Sequence, residues 1–375
     1  MATTTTTTTT TTDNDEEISS KLLKSLSTTK YACSSLERLG GYSAFVYRGI
    51  LLRPLTNGAG TIIIKHTASY AARLELQLPE DRVARENEVL LLLARNPNAV
   101  PAVTVKSLTA RTTDIYDFLP QEKAVLMEDI PGCITLRQFL TTFSWRHLLA
   151  PAGSALGFSL GAWLGNFHSS THTLDRADLP QIVNGRDSAR RFLLGFNTKN
   201  LQQNLEAYPG VLRTDEARVR AAVAAELQRD HGRDLGITHG DFHMMNVLLS
   251  FGLLSSTIVP IDWESCHFGC QTLDFARIIT NLYVVDRAGG INAPRSILRG
   301  FIDGYHETRH LDDELVWRTV VGVGLLVLCT PYRITLPGRD VRGILQEGED
   351  LLIKGLAEDR EWVKTSVLAG LLDKI

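Results

Sequence analysis

Cysteine is scarce. Cys33, Cys133, Cys266, Cys270 and Cys329 are the five in 375 residues, an odd, thinly spread set that suits free thiols in a reducing compartment and excludes a dense disulfide framework. An excess of charge is missing too: 39 Lys plus Arg face 42 Asp plus Glu, a net charge of -3. Nothing therefore favours a polyphosphate partner, and nucleic acid is excluded as the expected substrate. No run is apolar for the roughly 20 residues that a bilayer crossing needs; the longest, Val320 to Cys329, is flanked by Arg318 and Arg333 and reads as a buried helix. The amino terminus has neither a basic nor an apolar stretch, which excludes a secretory signal. The expectation is a cytoplasmic protein with no membrane partner; the sequence carries no signal of oligomeric state.

What is present is core-forming material, at 44% hydrophobic, enough for one large domain or two lobes. The opening "MATTTTTTTTTTDNDEE" cannot pack a core, so residues 1–28 are expected to be a disordered tail with no assigned role. After it, "LERLGGYSAFVYRGILL", "TNGAG" and "TIIIKH" read as strand, turn and strand. "PEDRVARENEVLLLLARN" carries helix start and stop signals around apolar residues at helical spacing, and "KAVLMEDIPG" is a strand that stops at Pro131 and Gly132. Beyond it Pro151 to Ser170, Asp187 to Tyr208, Asp215 to Arg229, Thr272 to Asp286 and Pro294 to His310 read as helices, interrupted by one strand pair. The fold class is therefore α+β: a small β-rich lobe over residues 29–129 and a large, mainly helical lobe over 130–375. Clefts between lobes of this kind are common ligand sites.

The chemistry concentrates in "THGDFHMMNVLLSFGLLSSTIVPIDWES". Val247 to Leu249 and Ile258 to Ile261 read as a β-hairpin, with Pro260 tolerable near an edge. In an antiparallel pair the residue before the first strand lies beside the residue after the second, so Asn246 and Asp262 should meet at one end. Hard oxygen donors of this kind suit Mg2+, and Asp241 lies on the preceding loop. An aspartate to receive a hydroxyl proton, an asparagine on a metal and a second aspartate bridging metal to phosphates are the parts of a phosphoryl-transfer site.

With this loop the chain resembles the aminoglycoside phosphotransferase and choline kinase superfamily, a branch of the protein-kinase-like fold. His239, Gly240, Asp241 and Asn246 match its H-G-D-x-x-x-x-N loop, and Asp262 its metal aspartate. The resemblance covers nearly everything after the tail and implies a bilobal kinase that uses ATP and Mg2+. It implies that Lys65 neutralises the α and β phosphates, that Glu86 holds Lys65, and that Gly40 and Gly41 lie in the nucleotide loop. It also implies that Met127 lines the adenine pocket, that the Glu128 carbonyl and Ile130 amide bond the base, that His239 supports the loop, and that Asp274 in "LDFAR" braces it. "IDWESCHFG" is similar to methylthioribose kinase and related fungal small-molecule kinases, which implies that Glu264 helps to hold a metal. Met244 and Met245 depart from the small or turn-forming residues usual there, and no residues of the sequence can be matched to the paired arginines that methylthioribose kinases use on their sugar.

Each residue also has a plainer reading. His239 and His243, like Cys266 and Cys270 around His267, stand four apart, but the first pair falls on a loop followed by a strand and the second lacks Cys-x-x-Cys spacing, so zinc is not expected. Lys65 alone could be a lysine snorkelling from a strand end, and Glu86 alone a first-turn acid favoured by the helix dipole. Glu88 is the rival to Glu86; positions two apart do not share a helix face, so the facing of the helix decides. The expected activity is transfer of the γ-phosphoryl of ATP to a hydroxyl of a small molecule at the lobe interface, with Asp241 as base. The absence of an Ala-Pro-Glu segment after Asp262 argues against a protein kinase; the alternative is an inactive nucleotide-binding scaffold on the same fold.

Overall fold

The computed structural model describes residues 8–41, 43–68, 81–95, 100, 102–142, 150–172, 188–229, 232–252, 255–289 and 293–374. Residues 1–7 of the threonine tract, Tyr42 of the glycine turn, and the expected helix starts at Pro79 and Asp187 lie outside them. The chain divides into two compact units, Met1–Arg95 with Thr113–Pro131, and Asn96–Thr112 with Gly132–Ile375. The expected boundary after residue 129 thus falls at Pro131, and the small unit both gains the amino terminus and gives up Asn96–Thr112.

The first unit holds α1 (Thr8–Leu26), β1 (Cys33–Arg38), β2 (Phe45–Leu51), β3 (Thr61–His66) and α2 (Arg82–Arg95). The chain then supplies β4 (Val103–Val105) and β5 (Leu108–Ala110) to the second unit and returns as β6 (Ile115–Leu119) and β7 (Ala124–Glu128). The sheet order is β1-β2-β3-β7-β6, every neighbour antiparallel. Alternation does the folding: Ile62 and Ile64 of β3 are buried while Ile63 between them is half-buried, the period-2 signature of a strand on a core.

From Thr8 to Leu26 the expected disordered tail is instead α1. Ile18, Leu22 and Leu26 recur every four residues, a helical stripe, and pack on Tyr31, Phe45, Tyr47 and Ile62. Composition averaged this amphipathic stretch with the threonines before it and concealed its apolar face.

The second unit contains β8 (Ile134–Thr135), α3 (Leu136–Thr142), α4 (Ala150–His172), α5 (Ser188–Ala207), α6 (Glu216–Gln228), β9 (Leu235–Thr238), β10 (Val247–Phe251), β11 (Ser256–Pro260), β12 (His267–Cys270), α7 (Gln271–Gly289), α8 (Ala293–Thr308) and α9 (Asp313–Leu328), followed by further helices. The expected single strand pair is enlarged to a sheet of order β4-β5-β11-β10-β8, with β9 and β12 paired apart. The added strands β4, β5 and β8 are three, three and two residues long, too short to show a period. Val320 to Leu328 lies buried in α9, and no described helix is long and apolar enough to cross a membrane.

Helices α4 and α8 touch backbone to backbone. A Cβ on Gly157 or Gly161 would sit 2.1 Å from the carbonyl oxygen of Ile297 or Phe301, and one on Gly300 or Gly304 would sit 2.1 Å from that of Ser154 or Phe158. Two further helices are tied by a buried bidentate pair. Arg229, just past α6, donates from both terminal nitrogens to Asp234 at 2.8 and 2.7 Å, and Asp234 accepts from the Thr272 hydroxyl and the Gln271 amide at the start of α7.

Two expectations follow from this packing. Gly161→Ala should destabilise by about 1–3 kcal/mol, the usual cost of overpacking, whereas Gly195→Ala on α5, whose Cβ meets nothing within 4 Å, should stabilise by up to about 1 kcal/mol through helix propensity; denaturant midpoints of both variants check this. Burial pushes the Asp234 carboxyl up, but Arg229 and Thr272 outweigh it and hold the group below its usual 3.8. A depressed carboxyl contributes stability above its unfolded value and loses it as pH falls through its folded value. Asp234→Asn should therefore cost about 3–5 kcal/mol at neutral pH, and its deficit against wild type should shrink as pH drops below 3.8; a deficit independent of pH would remove the ionic explanation.

Candidate active site

In the second unit β9 delivers the chain to His239 with its backbone already committed. Asp274, in the first turn of α7, accepts the His239 amide at 2.5 Å on one oxygen and the Gly240 amide at 3.0 Å on the other. Burial raises the Asp274 carboxyl, and these amides and the neighbouring His239 pull it back. Gly240 turns with φ +83, and a Cβ there would lie 2.1 Å from the Ser265 carbonyl oxygen, so no other residue fits the corner. Fully buried His239 is kept neutral by desolvation. Its Nε2 meets the Ile261 carbonyl at 3.0 Å and so carries the hydrogen, which leaves Nδ1 to accept the Asp241 amide at 3.4 Å. One imidazole thus joins the loop to the far end of the hairpin.

The turn that follows is closed by the His243 amide on the Asp241 carbonyl and the Asn246 amide on the His243 carbonyl. It places the Asp241 carboxylate 3.3 Å from His243 Nε2. Desolvation raises the Asp241 carboxyl, but the charge and hydrogen bond of His243, with Arg277 and His239, hold it well below the usual carboxylate range. Desolvation lowers His243, and Asp241 more than compensates, raising it. Asn246 donates from its side-chain nitrogen to the Asp241 carbonyl at 3.0 Å, which turns its side-chain oxygen into the acceptor that a cation could use.

The hairpin register pairs Val247 with Pro260, and the Ile261 amide donates to the Asn246 carbonyl at 2.9 Å. Asn246 therefore faces Ile261, and Asp262 lies one residue further, at the same end. Asp262 is left-handed, φ 72 and ψ 59, a conformation that aspartate tolerates better than most side chains. It opens a single turn, Trp263–Ser265, that brings Glu264 back; carboxylate oxygens of Asp262 and Glu264 lie within 4.8 Å of each other. Trp263, stacked edge-on to Phe167 at 5.2 Å and beside His239 at 4.5 Å, anchors that turn in the core.

In the first unit Lys65, next to last in β3, has its Nζ 2.7 Å from Glu86 Oε2, both side chains almost fully buried. The rivalry with Glu88 is resolved by the facing of α2, which turns Glu86 to the lysine. Gly40 and Gly41 form the β1–β2 turn; Gly41, at φ +119, could not carry a Cβ, which would lie 2.7 Å from the Ala44 carbonyl oxygen. Met127 is buried near the end of β7, and Glu128 and Ile130 are half-buried at and just beyond it.

Three residues around the loop escaped sequence reasoning. His243 was visible two positions after Asp241, yet its spacing to His239 drew attention to zinc; the nitrogens of His239 are instead used by Ile261 and Asp241. His168 bonds the Tyr305 hydroxyl at 2.9 Å and reaches Asp274 at 3.4 Å, but it comes from α4 with no local signal. Asn281, on α7, accepts the Met244 amide at 3.0 Å. It shares a helix face with Asp274, seven positions earlier, a relation that appears only once α7 is known to lie under the loop.

A family model described as "Phosphotransferase enzyme family" matches residues 53–315. Over 368 residues the chain is 28% identical to "Phosphotransferase FrzJ" of Cladobotryum sp, covering 93% of this chain and 95% of that one. It is 21% identical over 357 residues to "4-hydroxytryptamine kinase" of Psilocybe cyanescens, with the same coverage of 93% and 95%. Among solved structures, amicoumacin kinase hAmiN in complex with AMP-PNP, Ca2+ and Ami aligns with a TM-score of 0.52 at 16% identity, covering 95% of this chain and 96% of that one, a likeness of fold. The bilobal protein-kinase-like α+β fold is thereby established.

The Lys65–Glu86 pair generates a test that needs no ligand. Removing one partner strands the other as a buried charge, at a cost of about 3–5 kcal/mol, whereas removing both leaves no stranded charge. Lys65→Met and Glu86→Gln should each destabilise strongly, and the double variant should lose clearly less than their sum. Denaturant unfolding of the four proteins measures the coupling, with Glu88→Gln as the additive control.

Proposed function

This chain belongs to the phosphotransferase enzyme family, and we propose that it moves the γ-phosphoryl of ATP to a hydroxyl of a small molecule. The observation that carries the reading is one loop and one hairpin end that bring Asp241, Asn246 and Asp262 together, within the residues 53–315 matched by the family. The relatives named as a phosphotransferase and a hydroxytryptamine kinase, each matching 93% of the chain, support a small organic alcohol as acceptor.

The residues present fit Mg2+. Asn246, Asp262 and Glu264 offer only oxygen, two of the three as carboxylates, the donor type that hard cations take. Asn246 and Asp262 would hold the ion, with Glu264 beside them; when bound it supplies neutralisation of the phosphate charge. Lys65 would place its ammonium on the nucleotide phosphates, and Glu86 fixes that ammonium so that little rotamer freedom remains to be lost. Met127, with the Glu128 carbonyl and Ile130 amide, would meet the base, and Gly40 and Gly41 would allow close approach of backbone to phosphate.

Asp241, ionised at neutral pH, accepts a hydrogen bond from the acceptor hydroxyl and aims its oxygen. A depressed carboxyl is a weak base, so it takes the proton only as the new oxygen–phosphorus bond forms, the bond from the γ phosphorus to the departing ADP breaks and the hydroxyl becomes acidic. His243 spreads the carboxylate charge before transfer. Asp274 and His239 hold the loop without meeting substrate.

The test separates rate from binding. Asp241→Asn, nearly isosteric, should keep ATP affinity and thermal stability and lose about 10² to 10⁴ in kcat. The readout is ADP release with thioribose, choline, ethanolamine, hydroxyindole amine, homoserine and aminoglycoside acceptors, with and without a Mg2+ chelator. Wild-type turnover in the variant would remove Asp241 as base. ATP binding by both proteins with no acceptor turned over by either would favour an inactive nucleotide-binding scaffold.

A further inference from the structure

Helix α7 underlies the Asp241 loop along one face. Asp274 takes the amides of His239 and Gly240 at the start of the loop, and Asn281 takes the amide of Met244 at its end. Between them on the same face, three positions after Asp274 and four before Asn281, stands Arg277. Its neighbours on this face are both used to hold the loop, but the Arg277 side chain makes no hydrogen bond or ion pair among the described residues. The Asp241 carboxylate, whose charge Arg277 feels, takes its closest contacts from His243 at 3.3 Å and Asn246 at 3.5 Å instead. Arg277 is half-buried, and a guanidinium with five donors is costly to withdraw from water without an acceptor.

Arg277 borders a cavity of about 50 Å3 that also meets Gly240, Asp274, Asn197, Arg190 and Arg229. The cavity touches the Asp241 loop through Gly240, and none of Asn246, Asp262 and Glu264 lines it. It therefore borders the loop next to Asp241 without including the proposed metal ligands, so a molecule held there would not compete with the metal for them. Arg229 is already matched by Asp234 and Arg190 donates to the Gln228 and Arg229 carbonyls, so Arg277 brings the positive charge that a ligand would meet. Asp274 is the only carboxylate among the cavity's described lining residues, and both of its oxygens already hold backbone amides. An ammonium group would find no carboxylate to spare there and would face Arg277.

Building on the kinase reading, we propose that this cavity is the anion-binding end of the acceptor site, and that Arg277 receives an oxyanion, a carboxylate or a phosphate, carried by the acceptor alcohol. The guanidinium fork matches either group with two parallel hydrogen bonds. The acceptor is then held at two points, the hydroxyl by Asp241 and the oxyanion by Arg277, which fixes which hydroxyl is presented.

The experiment titrates the full chain, saturated with AMP-PNP and Mg2+ so that the nucleotide phosphate positions are filled, with acetate, inorganic phosphate and tetramethylammonium, read by calorimetry. Saturable binding of acetate, of phosphate or of both is expected, the preferred ion identifying the acceptor group, with no binding of tetramethylammonium. Arg277→Gln should weaken oxyanion binding by about tenfold or more, equivalent to about 1.4 kcal/mol, and Arg277→Lys should retain part of it. Binding unchanged in Arg277→Gln, binding of tetramethylammonium, or no oxyanion binding by wild type would each overturn the proposal. If Arg277→Gln does not fold, the wild-type titrations and Arg277→Lys, which keeps the charge but loses the fork, still decide it. Failure of AMP-PNP to bind would remove the kinase reading instead; the oxyanion titrations, run on the free protein, would then judge Arg277 separately.

Discussion

The site depends on a single buried carboxylate spanning a gap in the backbone. After β9 the chain has left the ladder and its amides need acceptors, since an unpaired buried N–H costs about as much as a lost hydrogen bond. Asp274 supplies one oxygen to each of two successive amides, and with that the direction of the Asp241 side chain, the corner at Gly240 and the reach of His239 to Ile261 are all determined. The proximity of His168 and its bond to Tyr305 carry the same constraint into α4 and α8, where the helices meet at glycines. A loop held at the root by a rigid helix pair can keep its outer side chains partly exposed without losing their aim.

Electrostatics within the loop follow from that placement. Asp241 and His243 each bear a desolvation penalty, yet each is moved toward its charged form because the other lies beside it. Arg277 works on the pair from below, favouring the carboxylate and disfavouring the imidazolium. Three groups of alternating sign on adjacent elements keep the carboxylate ionised while limiting how far its partner is drawn to it.

How much of this was legible in the sequence depended on separation along the chain. The positions of Asp241, Asn246 and Asp262 could be read because loop and hairpin are contiguous, and strand pairing is itself a spacing rule; even so the register was off by one, Asn246 facing Ile261. Lys65 and Glu86 were legible as residue types at element ends, but only the packing of α2 distinguishes Glu86 from Glu88. The α7 face formed by Asp274, Arg277 and Asn281 was hidden, since a period of helical contacts does not say what lies above it. So were β4, β5 and β8, whose few residues carry no period, and α1, whose apolar stripe was masked by the threonines ahead of it.

That stripe has a consequence for how the gene can vary. A run of one repeated residue invites gain or loss of units during copying, and such changes are usually harmful when they shift a packed element. Here Ile18, Leu22 and Leu26 seat α1 on the sheet, and every threonine of the run precedes them in the chain. A longer or shorter run changes the start of α1, which holds Thr8 to Thr12, and leaves the register of the docked face untouched, so a change in repeat length need not disturb the packed side chains.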